Sequence, residues 1–216
     1  MWHLGINSNM NFPAPVAALG FLAACCGTLL SLCALLAAAF VRKRQIAQFT
    51  LLIAACGAFV YFGLLFGFSL ASRDHLLSHG QEKYFCEIDC HLAYSALQVR
   101  TESATALTRY VVTLRTRFDE TTISSQRPKD APLIPSPRTV QLIDSRGIAY
   151  SPESAAGASL TAPLLPGQSY TTELSFRIPS GATGLRLLVT TTLQWPDHVV
   201  IGDENSWLHK KTYFAL

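Results

Sequence analysis

Two long stretches without a single charged residue dominate what this chain can become. Val16 to Val41 reads VAALGFLAACCGTLLSLCALLAAAFV, and Phe49 to Ala71 reads FTLLIAACGAFVYFGLLFGFSLA. Each exceeds the ~20 apolar residues that a helix needs to cross the hydrocarbon core of a bilayer. Inside lipid no water satisfies backbone N–H and C=O groups, so a helix is the natural form for both. Neither run offers a polar face, which weighs against a helical pair buried in a globular core. Joined by only a few residues, the two helices must lie antiparallel.

Charge orients the pair. Of 17 Lys and Arg residues, Arg42, Lys43 and Arg44 sit between the two runs, and from Ser72 onward the remaining 14 basic residues balance 14 acidic ones. The net charge of +3 therefore resides in the connecting turn. Cytoplasmic loops carry an excess of Lys and Arg, so this turn is expected on the cytoplasmic side. The leading stretch MWHLGINSNMNFPAP has no Lys or Arg. It lacks the positive start of a cleaved signal peptide, and the apolar run is too long for one, so the first helix is expected to be retained. Both ends would then lie outside the cytoplasm. A charge-balanced outer domain lacks the basic footprint of a nucleic-acid binder.

Beyond Ser72 the apolar period changes from helical to two. In YVVTLRTRF, Tyr110, Val112, Leu114 and Phe118 point one way and Arg115 and Arg117 the other. SYTTELSFRIP repeats the scheme, with Tyr170, Thr172, Leu174, Phe176 and Ile178 inward. Such alternation marks strands buried on one face. Further strand candidates are LAYSALQV, TVQLID with GIAY, GLRLLVTTTL, HVVI and KTYFAL. About seven or eight short strands broken by turns predict an all-β sandwich. The expected organisation is an N-terminal tail over 1–15, two transmembrane helices over 16–71 with a cytoplasmic loop near 42–48, a linker over 72–82 and the sandwich over 83–216.

Three features are candidate contact surfaces. Small residues recur four apart at Ala23, Gly27 and Ser31, and at Gly63 and Gly67. Such rows let helix backbones approach, either within the pair or against other subunits of a membrane complex. The segment from Asp119 to Arg138 carries Pro128, Pro132, Pro135 and Pro137 and has no periodicity. It reads as a functional loop or as a stiff crossover between sheets. IGDENSWLHKK is a second polar excursion, with Trp207 beside His209.

The chemistry-bearing stretch is YFCEIDCHLAYS, with Cys86, Cys90 and His91. Cys25, Cys26, Cys33 and Cys56 lie within the apolar runs and read as small apolar residues. An even pair of thiols outside the cytoplasm favours a disulfide. Residues four apart in a strand are separated by ~13 Å, so CEIDC must coil to bring its sulfurs within the ~7 Å Cα limit. Two alternatives stay open. Cys-x3-Cys-His resembles a rarer form of covalent haem attachment, with His91 as axial ligand. Thiolates and imidazoles also suit copper, with His198 or His209 completing a set and Glu87 and Asp89 as outer partners. No serine triad spacing, nucleophile elbow, zincin motif or phosphate-cradling glycine loop is present, so no catalytic residue is assigned.

Two resemblances bear on these residues. EKYFCEIDCHLAYS, RTRFDETTIS, PLIPSPRTVQLIDSRG and LLPGQSYTTELSFRIPSGATGLRLLV resemble uncharacterised bacterial membrane-anchored β-sandwich proteins of immunoglobulin-like type. That likeness implies a periplasmic or extracellular sandwich on the cytoplasmic membrane, and no activity. Two helices, a sandwich and a Cys-x3-Cys also resemble, in topology, cytochrome oxidase subunit II, which implies a dinuclear copper site. That family's Glu, His and Met positions are occupied here by Ile88, Tyr94 and Leu97. The expected role is a non-catalytic accessory subunit contacting the bilayer and other membrane subunits, without a cofactor; the alternative is a copper- or haem-binding redox protein.

Overall fold

The computed structural model describes residues 7–86, 90–103, 106–123, 127–128, 130–192 and 195–216. Helix α1 runs over Ala14–Phe40 and helix α2 over Arg44–Ala71. Both are long and apolar enough to cross a membrane. Pro13 and Pro15 flank the start of α1, where a missing N–H breaks no helical bond. The expected loop near 42–48 is shorter in the structure. Nothing in Gln45–Gln48 stops a helix, so α2 begins at Arg44. Arg42 takes a left-handed φ of 54°, and the N–H groups of Val41 and Lys43 close on the last carbonyls of α1, at Ala37 and Ala38.

Ten strands follow among the described residues: β1 His75–Leu77, β2 Lys83–Phe85, β3 Leu92–Ser103, β4 Leu107–Phe118, β5 Arg138–Ile143, β6 Ala149–Tyr150, β7 Ser154–Gly157, β8 Ser169–Pro179, β9 Arg186–Thr191 and β10 Thr212–Ala215. They form two five-stranded sheets, in the orders β1-β10-β9-β5-β6 and β2-β3-β4-β8-β7. The chain is thus a helical pair followed by a β-sandwich. The alternation in β4 and β8 is realised directly: Val112, Leu114, Phe118, Leu174, Phe176 and Ile178 all enter the core between the sheets. Opposite them stand Leu142, Leu187, Val189 and Phe214. In β3 the register shifts between Ala96 and Gln98, leaving Leu97 as an extra residue. That bulge lets Ala96 and Val99 both face the core, which strict alternation would forbid.

Three expectations meet a different arrangement. HVVI is not a strand; Asp197–Val199 forms a 3-10 turn after Pro196, whose ring cannot donate to a sheet ladder. Residues 72–82, expected as a tether, include β1, which pairs in parallel with the last strand, β10. The tail over 1–15 does not hang free in its described part. Asn7 and Asn9 exchange backbone hydrogen bonds with Tyr84 of β2, and Asn9 and Asn11 with Glu204 and Gly202. Tail and sandwich therefore stand at the same end of the helical pair.

Candidate functional site

The stretch from Cys86 to His91 is the first candidate. Cys86 and Cys90 are joined by a disulfide with their Cα atoms 4.1 Å apart. Glu87, Ile88 and Asp89 lie outside the described residues. The bridge does not face an open cleft. The Cys86 N–H donates to Asn9 Oδ1 (2.7 Å), and Cys86 Sγ lies 3.2 Å from Ser8 Oγ. Cys86 and Cys90 pack with Met10, Phe12, Ala14, Ala17 and Val200 in a small apolar cluster of their own. The disulfide thus seals the tail and the first turn of α1 against the sandwich.

His91 is buried and serves the next turn. Its Nδ1 contacts Thr122 Oγ1 (2.6 Å), and the Thr122 hydroxyl donates onward to the carbonyl of Asp119 (2.9 Å), which makes Nδ1 the protonated nitrogen. Asp119 caps the 3-10 turn Glu120–Thr122 by accepting from the Thr121 N–H. It also accepts from Tyr84 (2.6 Å) and Arg117 (3.0 Å). Arg117 in turn grips Glu82 with two 2.7 Å bonds. Hydrogen bonds from Tyr84, Arg117 and Thr121 outweigh burial and hold the Asp119 carboxyl well below the usual range. The same Arg117 lowers Glu82.

As placed, the disulfide takes up both sulfurs that copper or haem would need, and a disulfide sulfur is not a thiolate ligand. His198 Nδ1 donates to the Asn205 carbonyl (3.1 Å) and His209 Nδ1 to the Lys210 carbonyl (2.6 Å), each away from His91. No group of three His, Cys, Asp or Glu among the described residues is placed to hold a metal ion. The residues do not fit the dinuclear copper site that the subunit II resemblance implies.

The proline-rich segment behaves as a crossover. It carries the chain from β4 in one sheet to β5 in the other, pinned by paired hydrogen bonds between Leu133 and Leu164. Pro135 is buried, whereas Pro132 and Pro137 are exposed. A cleft of about 50 Å³ separates its Ile134 and Pro135 from Phe85 and His91.

The densest polar site lies elsewhere, in the loop that local reading treats as a solvated excursion. Asp203, Glu204, Asn205 and Ser206 are all buried. Glu204 takes both oxygens to the Nζ of Lys83, at 2.8 Å each, with Lys83 wholly inaccessible. The same ammonium donates to the carbonyls of Val189 (2.6 Å) and Thr212 (3.1 Å). Lys83 is on β2, and its two backbone acceptors are on β9 and β10, so one side chain ties the two sheets together. Burial pulls the ammonium pKa down, and Glu204 opposes that pull. Asp203 accepts from the Asn205 N–H (2.7 Å) and from Asn9 Nδ2 (3.3 Å). Ser206 meets Ser69 of α2 (3.2 Å), and the Lys210 N–H donates to Ser72 (2.8 Å). Tail, α2, both sheets and the 201–210 loop converge here. A cavity of about 320 Å³ opens beside them, lined by Met10, Ala71, Arg73, His75 and Lys210 among others. Trp207, 47% exposed, sits at the rim of the loop.

Burial raises the Asp203 carboxyl to about 7 from its ordinary 3.8. The folded protein therefore holds a proton that the unfolded chain releases, and stability falls as pH rises from about 4 through 7. At ~1.4 kcal/mol per unit the full penalty is roughly 4 kcal/mol. Asp203→Asn keeps an acceptor for Asn205 and removes the charge. Its melting temperature is expected to stay level between about pH 5 and pH 8, where the parent's declines; thermal scans in detergent at stepped pH check this.

A second expectation concerns the disulfide. Closing so short a loop is worth about 2 kcal/mol through the unfolded state. Cys86→Ser/Cys90→Ser is expected to lose about that much in urea unfolding, with no change in visible absorption. Intact mass of the parent under non-reducing conditions should show two hydrogens missing and no adduct.

No protein-family model matches the chain, and no curated protein matches it. Among solved structures, an uncharacterised β-sandwich protein from Clostridium difficile is similar over 66% of this chain and 94% of that one, with a TM-score of 0.40 and 9% identity.

Of the residues singled out in the sequence, Cys86 and Cys90 come together, and His91 lies beside them. His198 and His209 belong to the loop near α2. Gly27, Gly63 and Gly67 each face open space, with nothing within 4 Å of where a Cβ would stand. Sequence reasoning missed Lys83, Asp203, Glu204 and Asn9. In the structure KYF buries Lys83 and Phe85, but three residues are too few for a sequence period to have shown it.

Proposed function

We propose that this protein is a membrane-anchored accessory subunit: a sandwich of immunoglobulin-like type held rigidly outside the bacterial cytoplasmic membrane, without catalytic activity of its own. The helical pair spans the bilayer with its cationic turn inside, and both termini and the main domain are periplasmic or extracellular. The observation that carries this reading is the junction itself. A disulfide-sealed tail and serine contacts from α2 to Ser206 and Lys210 fix the sandwich to the helix ends, so the domain is presented at a set angle. Such rigidity serves a display module better than a tether does. Strand order supports the immunoglobulin-like assignment: β10-β9-β5-β6 follows G-F-C-C′ and β3-β4-β8-β7 follows A-B-E-D, with β1 and β2 added at the edges.

The open glycines supply the expected contact with other subunits. Because Gly27, Gly63 and Gly67 are not used between α1 and α2, they remain free to receive another helix. The exposed Pro132, Pro137 and Trp207 are the corresponding surface outside. Native sizing after mild detergent extraction is the test. The parent is expected in a particle larger than the monomer, and Gly63→Leu/Gly67→Leu should release it as a folded monomer. A parent that sizes alone and retains no companion contradicts the assignment.

A further inference from the structure

Residues 195–200 lie against the side of the helical pair. Trp195 packs edge-on against Phe21 of α1, with ring centroids 6.4 Å apart. Four residues on, the Val199 carbonyl accepts from the hydroxyl of Tyr61 on α2 (2.7 Å). These contacts locate the loop along the helix axis. From Arg44 to Tyr61, α2 rises about 26 Å at ~1.5 Å per residue, and from Phe40 back to Phe21, α1 rises about 29 Å. The hydrocarbon core is ~30 Å thick. Measured from the cationic turn, both contact points therefore fall where the hydrocarbon ends on the opposite side.

Burial along the helices agrees. Toward the sandwich, the buried helix residues are Ala14 and Ala17 on α1 and Leu65 and Ser69 on α2, all beyond that level. Between the levels of Phe21 and Tyr61 and the turn, only Ala38 is buried. The outer turns of the two apolar runs are thus gripped by the sandwich, and the lipid-facing length is shorter than the apolar sequence.

Trp195 itself remains 77% exposed. An indole with an apolar body and one N–H donor favours the boundary between acyl chains and headgroups. Asp197 and His198, next in the loop, suit the headgroup layer and oppose deeper burial. The Trp207 N–H donates to the His198 carbonyl, which places the exposed Trp207–Leu208 tip beside the same loop.

We propose that the Trp195–Val200 loop is an interfacial anchor, seating the sandwich in the outer lipid–water boundary at the level of Phe21 and Tyr61. This rests on the membrane-spanning reading of the helical pair. It commits to one partner, the phospholipid surface, because the loop is continuous with the apolar face of the helices and sits at the depth where that face should meet headgroups.

Depth-resolved fluorescence tests it in the full chain. Trp2→Phe/Trp207→Phe leaves Trp195 as the sole tryptophan. A companion, Ile53→Trp with all three native tryptophans changed to Phe, reports the middle of α2. Both are reconstituted in phosphatidylcholine vesicles brominated near either the ester end or the methyl end of the acyl chain. Trp195 is expected to lose most emission to ester-end bromines and to resist acrylamide; Ile53→Trp should lose most to methyl-end bromines. If Ile53→Trp behaves so while Trp195 is quenched freely by acrylamide, or is shielded from both quenchers, the anchor is overturned and the spanning reading survives. Absence of bromine quenching at Ile53→Trp overturns both.

Discussion

Lys83→Met is expected to be among the most destabilising single substitutions in the sandwich, costing about 3–5 kcal/mol. The reason is the partner it abandons. Glu204 is 2% exposed and its carboxylate has both oxygens on the Lys83 ammonium. Methionine fills most of the lysine volume but leaves that charge buried and uncompensated. The strand carbonyls of Val189 and Thr212 lose a donor in the same step. Lys83→Met/Glu204→Leu separates the effects. Removing both charges should recover most of the loss, because a buried ion pair exchanged for apolar residues is often near neutral. Recovery should stop short of the parent, since the two carbonyls remain unserved. Urea unfolding of detergent-solubilised protein, followed by tryptophan emission, gives the three midpoints. Equal stability of Lys83→Met and the parent would show that the pair is not closed in solution.

Gly202→Ala is expected to uncouple the tail from the domain. Gly202 adopts φ of +77°, a left-handed conformation that costs an alanine about 1–2 kcal/mol. Its missing Cβ also makes room for the tail: an added methyl would collide with Phe12 Cβ and would stand 2.8 Å from Asn11 Oδ1 and 2.9 Å from the Phe12 nitrogen. Two of those three atoms belong to Phe12, whose ring packs on Phe68 of α2 (4.7 Å between centroids). Phe12 and Gly202 therefore cannot both keep their places. The expected result is a further loss of about 1–3 kcal/mol from overpacking, together with new protease sensitivity within residues 7–13. Limited proteolysis with mass detection would read the tail release directly. An intact tail and an unchanged melting point would contradict the contact.

The parts of this fold that were legible from sequence share one property: their signal is local. A strand with one buried face writes alternation into itself, as β4 and β8 do. A helix apolar enough to cross a membrane excludes charge along its length, as α1 does throughout and α2 does after Arg44. The cysteine pair was legible because Cys86 and Cys90 alone among the six cysteines stand outside the apolar runs, an even count that favours a bridge. The junction had no such signal. Asp203, Glu204 and Asn205 are polar and consecutive, which locally means a solvated loop. They are buried because Lys83, Asn9 and Thr190 come from distant parts of the chain to satisfy them. β1 and β2 have three residues each, too few for any period to register. The tail was illegible for the opposite reason. It is held by backbone hydrogen bonds to Tyr84, Gly202 and Glu204, and backbone carries no sequence signature. The spacing of Gly27, Gly63 and Gly67 left packing within the pair and contact with another helix both open; nothing stands within 4 Å of where their Cβ atoms would be.

The account rests on one arrangement: a helical pair crossing the membrane, with tail and sandwich gathered on the side opposite Arg42–Arg44. The most direct measurement is labelling of intact cells with a membrane-impermeant maleimide, after Cys25, Cys26, Cys33 and Cys56 are changed to alanine. Ser180→Cys, in the exposed turn between β8 and β9, is predicted to react before lysis, and Lys43→Cys only after it. The reverse pattern, with Lys43→Cys reacting on intact cells while Ser180→Cys stays protected, would contradict the account.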